Sequence, residues 1–287
     1  MANLRLIKGR IKSVKNIAQI TKAMELVAAS KMKKAQLAAI AGKLYAQKIY
    51  EMVYRLAKRV TVATHPLISK PINPGAKKIV ILISSNKGLC GGLNTNLFRF
   101  LLAQYREKEQ LEFITLGKKG ATFVTQMKKT LSADFSQSVP FINSVPALTE
   151  LAIREYVNGT ASGVDIVYSE FLSAIKQAPR KRVLLPLTIV EGAVPDKDED
   201  TREFLIEPSV EEVFASLLPH YVENQVRDAI LQADASEHSA RMVAMRNATD
   251  NAKGFMAELT LIYNKARQEK ITYEITDMIT ARMAVEG

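Results

Sequence analysis

Residues 231–266, LQADASEHSARMVAMRNATDNAKGFMAELTLIYNKA, carry the pattern that decides the fold. Eleven positions in this stretch follow one another in alternating steps of four and three, and nine of them are apolar. They are Leu231, Ala235, His238, Met242, Met245, Thr249, Ala252, Met256, Leu259, Tyr263 and Ala266. Such spacing is typical of the seam along which a helix packs in a coiled coil. The stretch therefore predicts a long helix that has a helical partner.

The first 59 residues predict that partner, because they contain no proline and only two glycines, Gly9 and Gly42. A seam with the same alternation begins with Leu4, Ile7, Ile11 and Val14. It is predicted to continue, with two additional steps of three, through Ile17, Ile20, Met24 and Val27. A break of this kind either overwinds a supercoil locally or widens the apolar stripe so that it meets more than one partner.

The C-terminal helix is expected to begin at Ser209, a good N-cap residue, with Glu211 and Glu212 in its first turn. Pro219 is a position at which the helix can kink or divide. At about 1.5 Å per residue, the N-terminal helix reaches roughly 85 Å and the C-terminal helix roughly 115 Å. Paired antiparallel, they leave an overhang of about 30 Å on the C-terminal helix, and its tip is apolar.

The middle of the chain has the rhythm of an open α/β sheet. A linker containing Pro66, Pro71, Pro74 and Gly75 precedes it. The predicted strands are Ile79–Ile83, Leu111–Leu116, Val164–Phe171 and Val183–Val190. A helix is predicted over Asn94–Glu107, and an acidic, mobile loop over Glu191–Glu203. The predicted fold is therefore α+β: a coiled coil of residues 1–59 and 209–287, with a Rossmann-like α/β domain at 76–208.

Charge is distributed unevenly along the chain. Residues 1–59 carry a net charge of +12, residues 209–287 carry −4, and the whole chain carries +11. A basic helix can pair with an acidic one and still present a basic face to a partner. No run of about 18 apolar residues is present, so direct membrane insertion is not expected. The single cysteine, Cys90, excludes an intramolecular disulfide.

Three stretches resemble the γ subunit of F-type ATP synthases, in its bacterial form. They are KNIAQITKAMELVAASKM at Lys15–Met32, KGLCGGLN at Lys87–Asn94, and ASEHSARMVAMRNATDNA at Ala235–Ala252 followed by YNKARQEKITYEITDMI at Tyr263–Ile279. The resemblance implies a non-catalytic rotor shaft that couples proton flow to ATP synthesis. Its implied partners are the α and β subunits, the ε subunit and the c ring. The implied location is the cytoplasmic face of the bacterial plasma membrane, as a peripheral protein.

The resemblance also assigns candidate contact residues. Those matching rotor–stator contacts are Met24, Arg241, Arg267, Gln268, Thr272 and Glu274. An apical bearing is expected at Ile275, Met278, Ile279 and Met283, and a contact with ε and the c ring at Phe204, Leu205 and Ile206. Met24 fits a core seam position as well as a partner contact. The family often has an aspartate where this chain has Asn86, so a role that needs that carboxylate does not carry over.

Two other functions compete with this interpretation. The basic N-terminal helix suggests a coiled-coil protein that binds nucleic acid, although its basic residues lack interleaved aromatics. The glycine-rich turn suggests a dinucleotide enzyme, but it matches neither G-x-G-x-x-G nor a Walker A motif. Tight chain reversal explains its glycines better. His65, His220 and His238 lack metal-ligand spacing. We therefore expect no cofactor, no metal, no catalytic residue and no nucleic-acid partner.

Overall fold

The computed structural model describes residues 4–57, 65–68, 71, 73–105, 110–187 and 206–286, and only the backbone of residues 43, 44, 285 and 286. The predicted loop Glu191–Glu203 lies outside these residues. Phe204 and Leu205 of the predicted ε and c-ring contact also lie outside them.

Two long helices stand at the ends of the chain, and the strands lie between them. In chain order the elements are α1 (Leu4–Ala57), β1 (Lys77–Ile83), α2 (Leu93–Gln104), β2 (Leu111–Leu116), α3 (Lys118–Gln126), β3 (Thr130–Asp134), a 3-10 helix (Phe141–Ser144), α4 (Val145–Val157), β4 (Ala161–Phe171), β5 (Gln177–Leu185) and α5 (Val210–Glu286). None of the described helices combines the length and the hydrophobicity that a bilayer crossing requires.

The chain forms two compact units. We call Met1–Ala28 with Arg241–Gly287 the helical unit, and Ala29–Ala240 the sheet unit. Both α1 and α5 contribute residues to each unit. The predicted pair of long terminal helices and the predicted central α/β domain are confirmed.

In the helical unit, α1 and α5 meet along a seam of small and medium-sized side chains. The hydroxyls of Thr21 and Thr249 lie 2.7 Å apart. Buried residues of this seam are Ile7, Ala28, Met245, Thr249 and Ala252. Beyond Ala252, the only side chains of α5 that are not exposed belong, within the described residues, to Met256, Leu259, Tyr263 and Ala266. These are the four remaining positions of the predicted α5 seam, which is therefore confirmed from Met245 to Ala266.

The end of burial on α5 fits an antiparallel pair. Leu4 and Ala266 both lie 17 residues from the Thr21–Thr249 contact, so antiparallel helices place them at the same level. Because α1 begins at Leu4, nothing in α1 covers α5 beyond Ala266. Every described side chain from Arg267 to Ala284 is exposed. The uncovered residues 267–286 extend about 30 Å at 1.5 Å per residue, as the sequence predicts.

The predicted continuation of the α1 seam is wrong. Ile17, Ile20 and Val27 are 51%, 60% and 57% exposed. The helix instead keeps its alternation through Ala18, Thr21 and Ala28, with Met24 half-buried beside this row. Small side chains at these positions let two helices approach closely, whereas Ile17 and Ile20 are left as a second apolar row. Of the two explanations for the break, the structure favours the widened stripe.

The sheet unit contains a five-stranded sheet in the order β3-β2-β1-β4-β5. The first four strands are parallel, and β5 runs antiparallel to β4. This order reverses between β1 and β4, as in doubly wound nucleotide-binding folds. A ligand of such a fold binds outside the carboxyl ends of the strands at that point, which is where the glycine-rich turn follows β1.

Helices cover both faces of the sheet. On one face, α4, the end of α1 and the start of α5 form the larger core, which includes Val53, Leu148 and Phe214. On the other face, α2 and α3 cover a smaller core that includes Leu97 and Val124. The alternate residues of β1 divide between the two cores, since Ile81 joins the first and Val80 the second.

Two strand predictions require correction. The predicted strand Val183–Val190 is wrong in its bounds, because β5 covers Gln177–Leu185 and pairs with β4 as a hairpin. Strand β3 is not predicted from the sequence, because its residues TLSAD are mostly polar, as suits an edge strand. Both errors arise where pairing with a neighbouring strand, and not local hydrophobicity, creates the strand.

The start of α5 is as predicted, but the proline does not divide it. Ser209 Oγ accepts a hydrogen bond from the Glu212 N–H at 3.2 Å, which is the expected N-cap. The helix then runs from Val210 to Glu286 with Pro219 inside it. Its flanking residues Leu218 and Val222 are buried in the core, so tertiary packing outweighs the local cost of the proline.

Candidate functional site

The uncovered end of α5 is an amphipathic helix whose apolar face has no cover within the described chain. Ile271, Ile275, Met278, Ile279 and Met283 recur at helical spacing, so they lie on one side. Met278 and Met283 are 73% and 71% exposed. A contiguous apolar surface of this kind marks an interaction site on a soluble protein. This face contains all four residues predicted as an apical bearing.

Polar residues precede this apolar face. Arg267, Gln268, Thr272 and Glu274 are all exposed and project from the first turns after Ala266. The Thr272 hydroxyl donates to the Gln268 carbonyl of its own helix at 3.0 Å. Lys270 and Glu274 form an exposed ion pair at 3.4 Å, which contributes little to stability. The four predicted residues thus lie in one short segment. Because the Lys270–Glu274 pair is exposed, Glu274 can leave Lys270 and pair with a cation of another protein.

The other two predicted contact residues lie near the seam of the helical unit. Met24 is half-buried, one helical turn from the Thr21–Thr249 contact. Glu25, the next residue, pairs with Lys22 at 3.0 Å. Arg241 is half-buried on α5. Met24 therefore keeps part of its surface available although it flanks the seam.

The glycine-rich turn is closed by its own hydrogen bonds. Leu89 and Gly91 have left-handed backbones, with φ of 63° and 59°, which reverse the chain sharply. Asn94 accepts from the Ser85 N–H at 3.3 Å and donates to Ser85 Oγ at 2.7 Å. Cys90 is buried beside Asn94, with 3.4 Å from Asn94 Nδ2 to the sulfur. Tight chain reversal therefore accounts for this motif.

At the same edge of the sheet, the first N–H groups of α3 already have partners. Asn86 Oδ1 accepts from the Lys118 N–H at 2.9 Å, and Ser84 Oγ accepts from the Gly120 N–H at 2.7 Å. The Lys119 N–H donates to the Ser85 carbonyl at 3.2 Å. A phosphate site needs such donors unpaired. The nearby cleft between Ser84, Ser85 and Glu237 encloses a cavity of about 10 Å³, room for one water and not for a nucleotide.

Asn86 holds three segments together at the same edge. Besides accepting from Lys118, its Nδ2 donates to the Ser136 carbonyl at 3.0 Å. An aspartate could accept the first bond but could not donate the second. The asparagine therefore has a structural role that an aspartate at this position would not perform in the same way.

A buried carboxylate lies on the α2 side of the sheet. Asp165 on β4 is fully buried and pairs with Lys78 at 3.0 Å and Lys181 at 3.3 Å. The Tyr105 hydroxyl donates to Asp165 Oδ2 at 2.8 Å, and the Lys181 ammonium lies 4.5 Å from the centre of the Tyr105 ring. These contacts join β1, β4, β5 and the end of α2. No local sequence pattern indicates this cluster, since its members are far apart in the chain.

Polar contacts fasten α5 to the β4–β5 hairpin within the sheet unit. The Ser236 hydroxyl donates to the Ser169 carbonyl at 2.9 Å, and the Ser239 hydroxyl donates to the Ala174 carbonyl at 2.6 Å. Arg182 of β5 pairs with Asp228 at 3.1 Å. Because the helix is bonded to the hairpin at several levels, it cannot rotate about its axis without the sheet. In the sequence, only the two serines at 236 and 239, close to the predicted seam residue His238, indicate that α5 makes polar contacts here.

The family comparison and the curated relatives indicate the same family. Residues 3–285 match the ATP synthase family. ATP synthase gamma chains of Dehalococcoides mccartyi and Opitutus terrae are 42% and 41% identical to this chain, over 99% of its length and 100% and 99% of theirs.

Solved structures have the same fold. A chain of the Euglena gracilis mitochondrial ATP synthase, in a structure of its OSCP, F1 and c-ring parts, matches with a TM-score of 0.66 at 19% identity, covering 98% of this chain and 94% of that one. A chain of the Tetrahymena thermophila central stalk and c-ring structure matches with a TM-score of 0.55 at 25% identity, covering 80% and 99%. The described residues contain no group of three His, Cys, Asp or Glu side chains placed to hold a metal.

Proposed function

This chain belongs to the ATP synthase gamma-chain family, and from that premise we propose that it is the rotor shaft between the c ring and the α and β subunits. Rotation driven by protons turns the shaft, and its asymmetric surface meets each β subunit differently. The catalytic residues belong to those partners, and this chain is not catalytic. Its location is the cytoplasmic face of a bacterial plasma membrane, where it is held peripherally.

The observation that carries this proposal is the uncovered apolar end of α5. Each of its large apolar side chains stabilises a complex by roughly 1.5–3 kcal/mol when a partner buries it fully. A free chain would leave that surface in water, whereas a ring of subunits with an apolar inner lining would cover it. Ile275, Met278, Ile279 and Met283 are the bearing surface in this proposal.

The contacts of a rotating shaft with its stator have to exchange. Arg267, Gln268, Thr272 and Glu274 support this requirement, because they are exposed on a helix and none of them is buried in a fixed network. Met24 and Arg241, at the edge of the seam, are the proposed contacts farther along the shaft. If one orientation were bound much more tightly than the others, it would stop the motor, so each contact has to be modest in energy.

The sheet unit is proposed to transmit torque to α5. The hydrogen bonds of Ser236 and Ser239 to the β4–β5 hairpin, with the Arg182–Asp228 pair, make the helix turn with the sheet. The ε subunit and the c ring are proposed to bind near residues 204–206. Ile206 packs partly buried against the core of the sheet unit. In this proposal, residues 1–59 and 209–287 form the shaft, and residues 76–208 form the domain that binds the ε subunit and the c ring.

Assembly with purified α and β subunits tests the proposed function. We expect a complex that contains this chain and whose ATPase activity depends on it. Gel filtration followed by an ATPase assay measures both properties. If the folded chain elutes apart from α and β and leaves their ATPase activity unchanged, the proposal is wrong.

Removing residues 271–287 tests the bearing. We expect a several-fold loss in protons pumped per ATP hydrolysed, because the shaft tip loses its apolar contact, while the sheet unit stays folded. A variant with Ile275, Met278, Ile279 and Met283 all changed to serine should behave alike. The matched control changes Thr276, Asp277 and Thr280 to alanine on the exposed polar face of the same segment, and it should pump normally. Unfolding of the sheet unit by the truncation would contradict the proposed geometry.

A further inference from the structure

The layer of α2 and α3 is basic, and within the described residues it contains no carboxylate. Its six cationic side chains, which we call the α2–α3 basic face, are Lys87, Arg99, Lys118, Lys119, Lys128 and Lys129. Residues 84–105 and 117–130 include no Asp or Glu. Five of the six side chains are exposed, and Lys129 is half-buried.

Several exposed cations of the sheet unit stand next to carboxylates, as in the pairs Lys48–Glu51, Arg180–Glu170 and Arg227–Glu223. By contrast, Arg99, Lys118, Lys119 and Lys128 form no ion pair with any carboxylate of the described chain. On this side of the sheet, Asp165 is already paired with Lys78 and Lys181, and Asp134 accepts hydrogen bonds from the Thr115 and Ser136 hydroxyls. Arg99, Lys118, Lys119 and Lys128 therefore give this face a positive potential that attracts anionic groups.

An aromatic pair joins α2 and α3. The rings of Phe98 on α2 and Phe123 on α3 stack with their centroids 4.2 Å apart and their planes 6° apart. Both are half-buried, and Leu102, one turn beyond Phe98, is 54% exposed. The stack fixes the two helices side by side, so the surrounding charges are held on a rigid surface.

We propose that the α2–α3 basic face binds an acidic polypeptide segment of another subunit, which places an apolar side chain against Phe98, Phe123 and Leu102. A polypeptide fits better than a nucleic acid, because the two rings stack on each other and offer fewer open faces for bases. It fits better than a lipid surface, because α2 and α3 expose only Leu102 among their large apolar residues. The inference rests on the proposed assembly, since the partner is a subunit of that complex.

Zero-length carbodiimide crosslinking of the purified complex tests the inference directly. The reagent joins a lysine Nζ to a carboxylate only when the two are in contact. We expect amide links from Lys118, Lys119 or Lys128 to Asp or Glu residues of one other subunit, located by mass spectrometry. If the complex assembles and hydrolyses ATP but these lysines give no link to another subunit, the inference is wrong and the proposed function stands. If no complex forms, the proposed function itself has failed.

Charge reversal measures the strength of the contact. Lys118→Glu with Lys119→Glu should weaken binding of the crosslinked subunit by about tenfold at low salt, with a smaller loss at high salt. Arg154→Glu with Lys176→Glu makes the same charge change at exposed sites elsewhere in the sheet unit and should leave the affinity unchanged. Equal losses in both variants would overturn the inference. A second result would also overturn the inference: the complex sediments with vesicles of 30% phosphatidylserine, and only the Lys118→Glu, Lys119→Glu variant loses this sedimentation.

Discussion

Replacing Asp165 with asparagine is expected to lower the free energy of unfolding of the sheet unit by about 3 kcal/mol. The substitution keeps the size of the side chain but removes its charge. Lys78 and Lys181, which are only 32% and 23% exposed, would then lie close together without a counter-ion. Removing one partner of a buried ion pair is costly because the remaining charge stays desolvated. The expected loss lies at the lower end of the range for breaking a buried ion pair, since both lysines retain some contact with water.

Hydrogen exchange of the β1 and β4 amides measures this loss, because core strands exchange mainly through global unfolding. Lys48→Gln is the control. It breaks the Lys48–Glu51 pair, which is exposed and should change stability by less than about 1 kcal/mol. If Asp165→Asn changes the exchange of these amides no more than the control does, the carboxylate cluster is not a stabilising element of the sheet.

Replacing Gly117 with alanine is expected to destabilise the sheet unit by about 3 kcal/mol or more. Gly117 has φ of 102°, a conformation that L side chains rarely adopt. A Cβ at this position would lie 2.1 Å from the Ser84 carbonyl oxygen, a backbone atom that cannot rotate away. Either the turn between β2 and α3 moves, or the hydrogen bond from the Gly120 N–H to Ser84 Oγ is lost.

Gly254→Ala is a control for which we expect a change in stability of opposite sign. Gly254 lies inside α5, and a Cβ there would meet no atom within 4 Å. In the isolated chain this change should stabilise the helical unit by roughly 0.5–1 kcal/mol, because alanine favours the helix. Urea unfolding followed by circular dichroism compares the variants, and hydrogen exchange assigns each change to its unit. A neutral Gly117→Ala would show that the turn relaxes more easily than its geometry indicates.

The comparison between α1 and α5 shows where sequence patterns suffice and where they do not. On α5 the predicted seam agrees with the burial at every position from Met256 to Ala266. On α1 the same reasoning chose Ile17 and Ile20 over Ala18 and Thr21. Ile17 and Ile20 are the more hydrophobic residues, but α1 has two rows that could pack against another helix. Only the position of α5 decides which row is covered.

The strands show the same limit. The pattern of β1 and β2 is a buried apolar run, so local sequence predicts both. The β4–β5 hairpin also contacts α5, where Arg182 meets Asp228, a residue 46 positions away in the chain. The cluster of Asp165 depends on residues from four elements. Long-range pairings of this kind leave no periodic signal in the chain.

Local sequence patterns are enough to establish that long helices stand at both ends, that an α/β sheet lies between them, and that the end of α5 is apolar. These features follow from local periodicity and from turn residues, which act within a few positions along the chain. Contacts between distant residues select which face of α1 is buried, close the glycine-rich turn through Asn94 and Ser85, and bring the cations of α2 and α3 onto one face. These depend on which distant residues meet, because burial and electrostatic energy are set by neighbours in space.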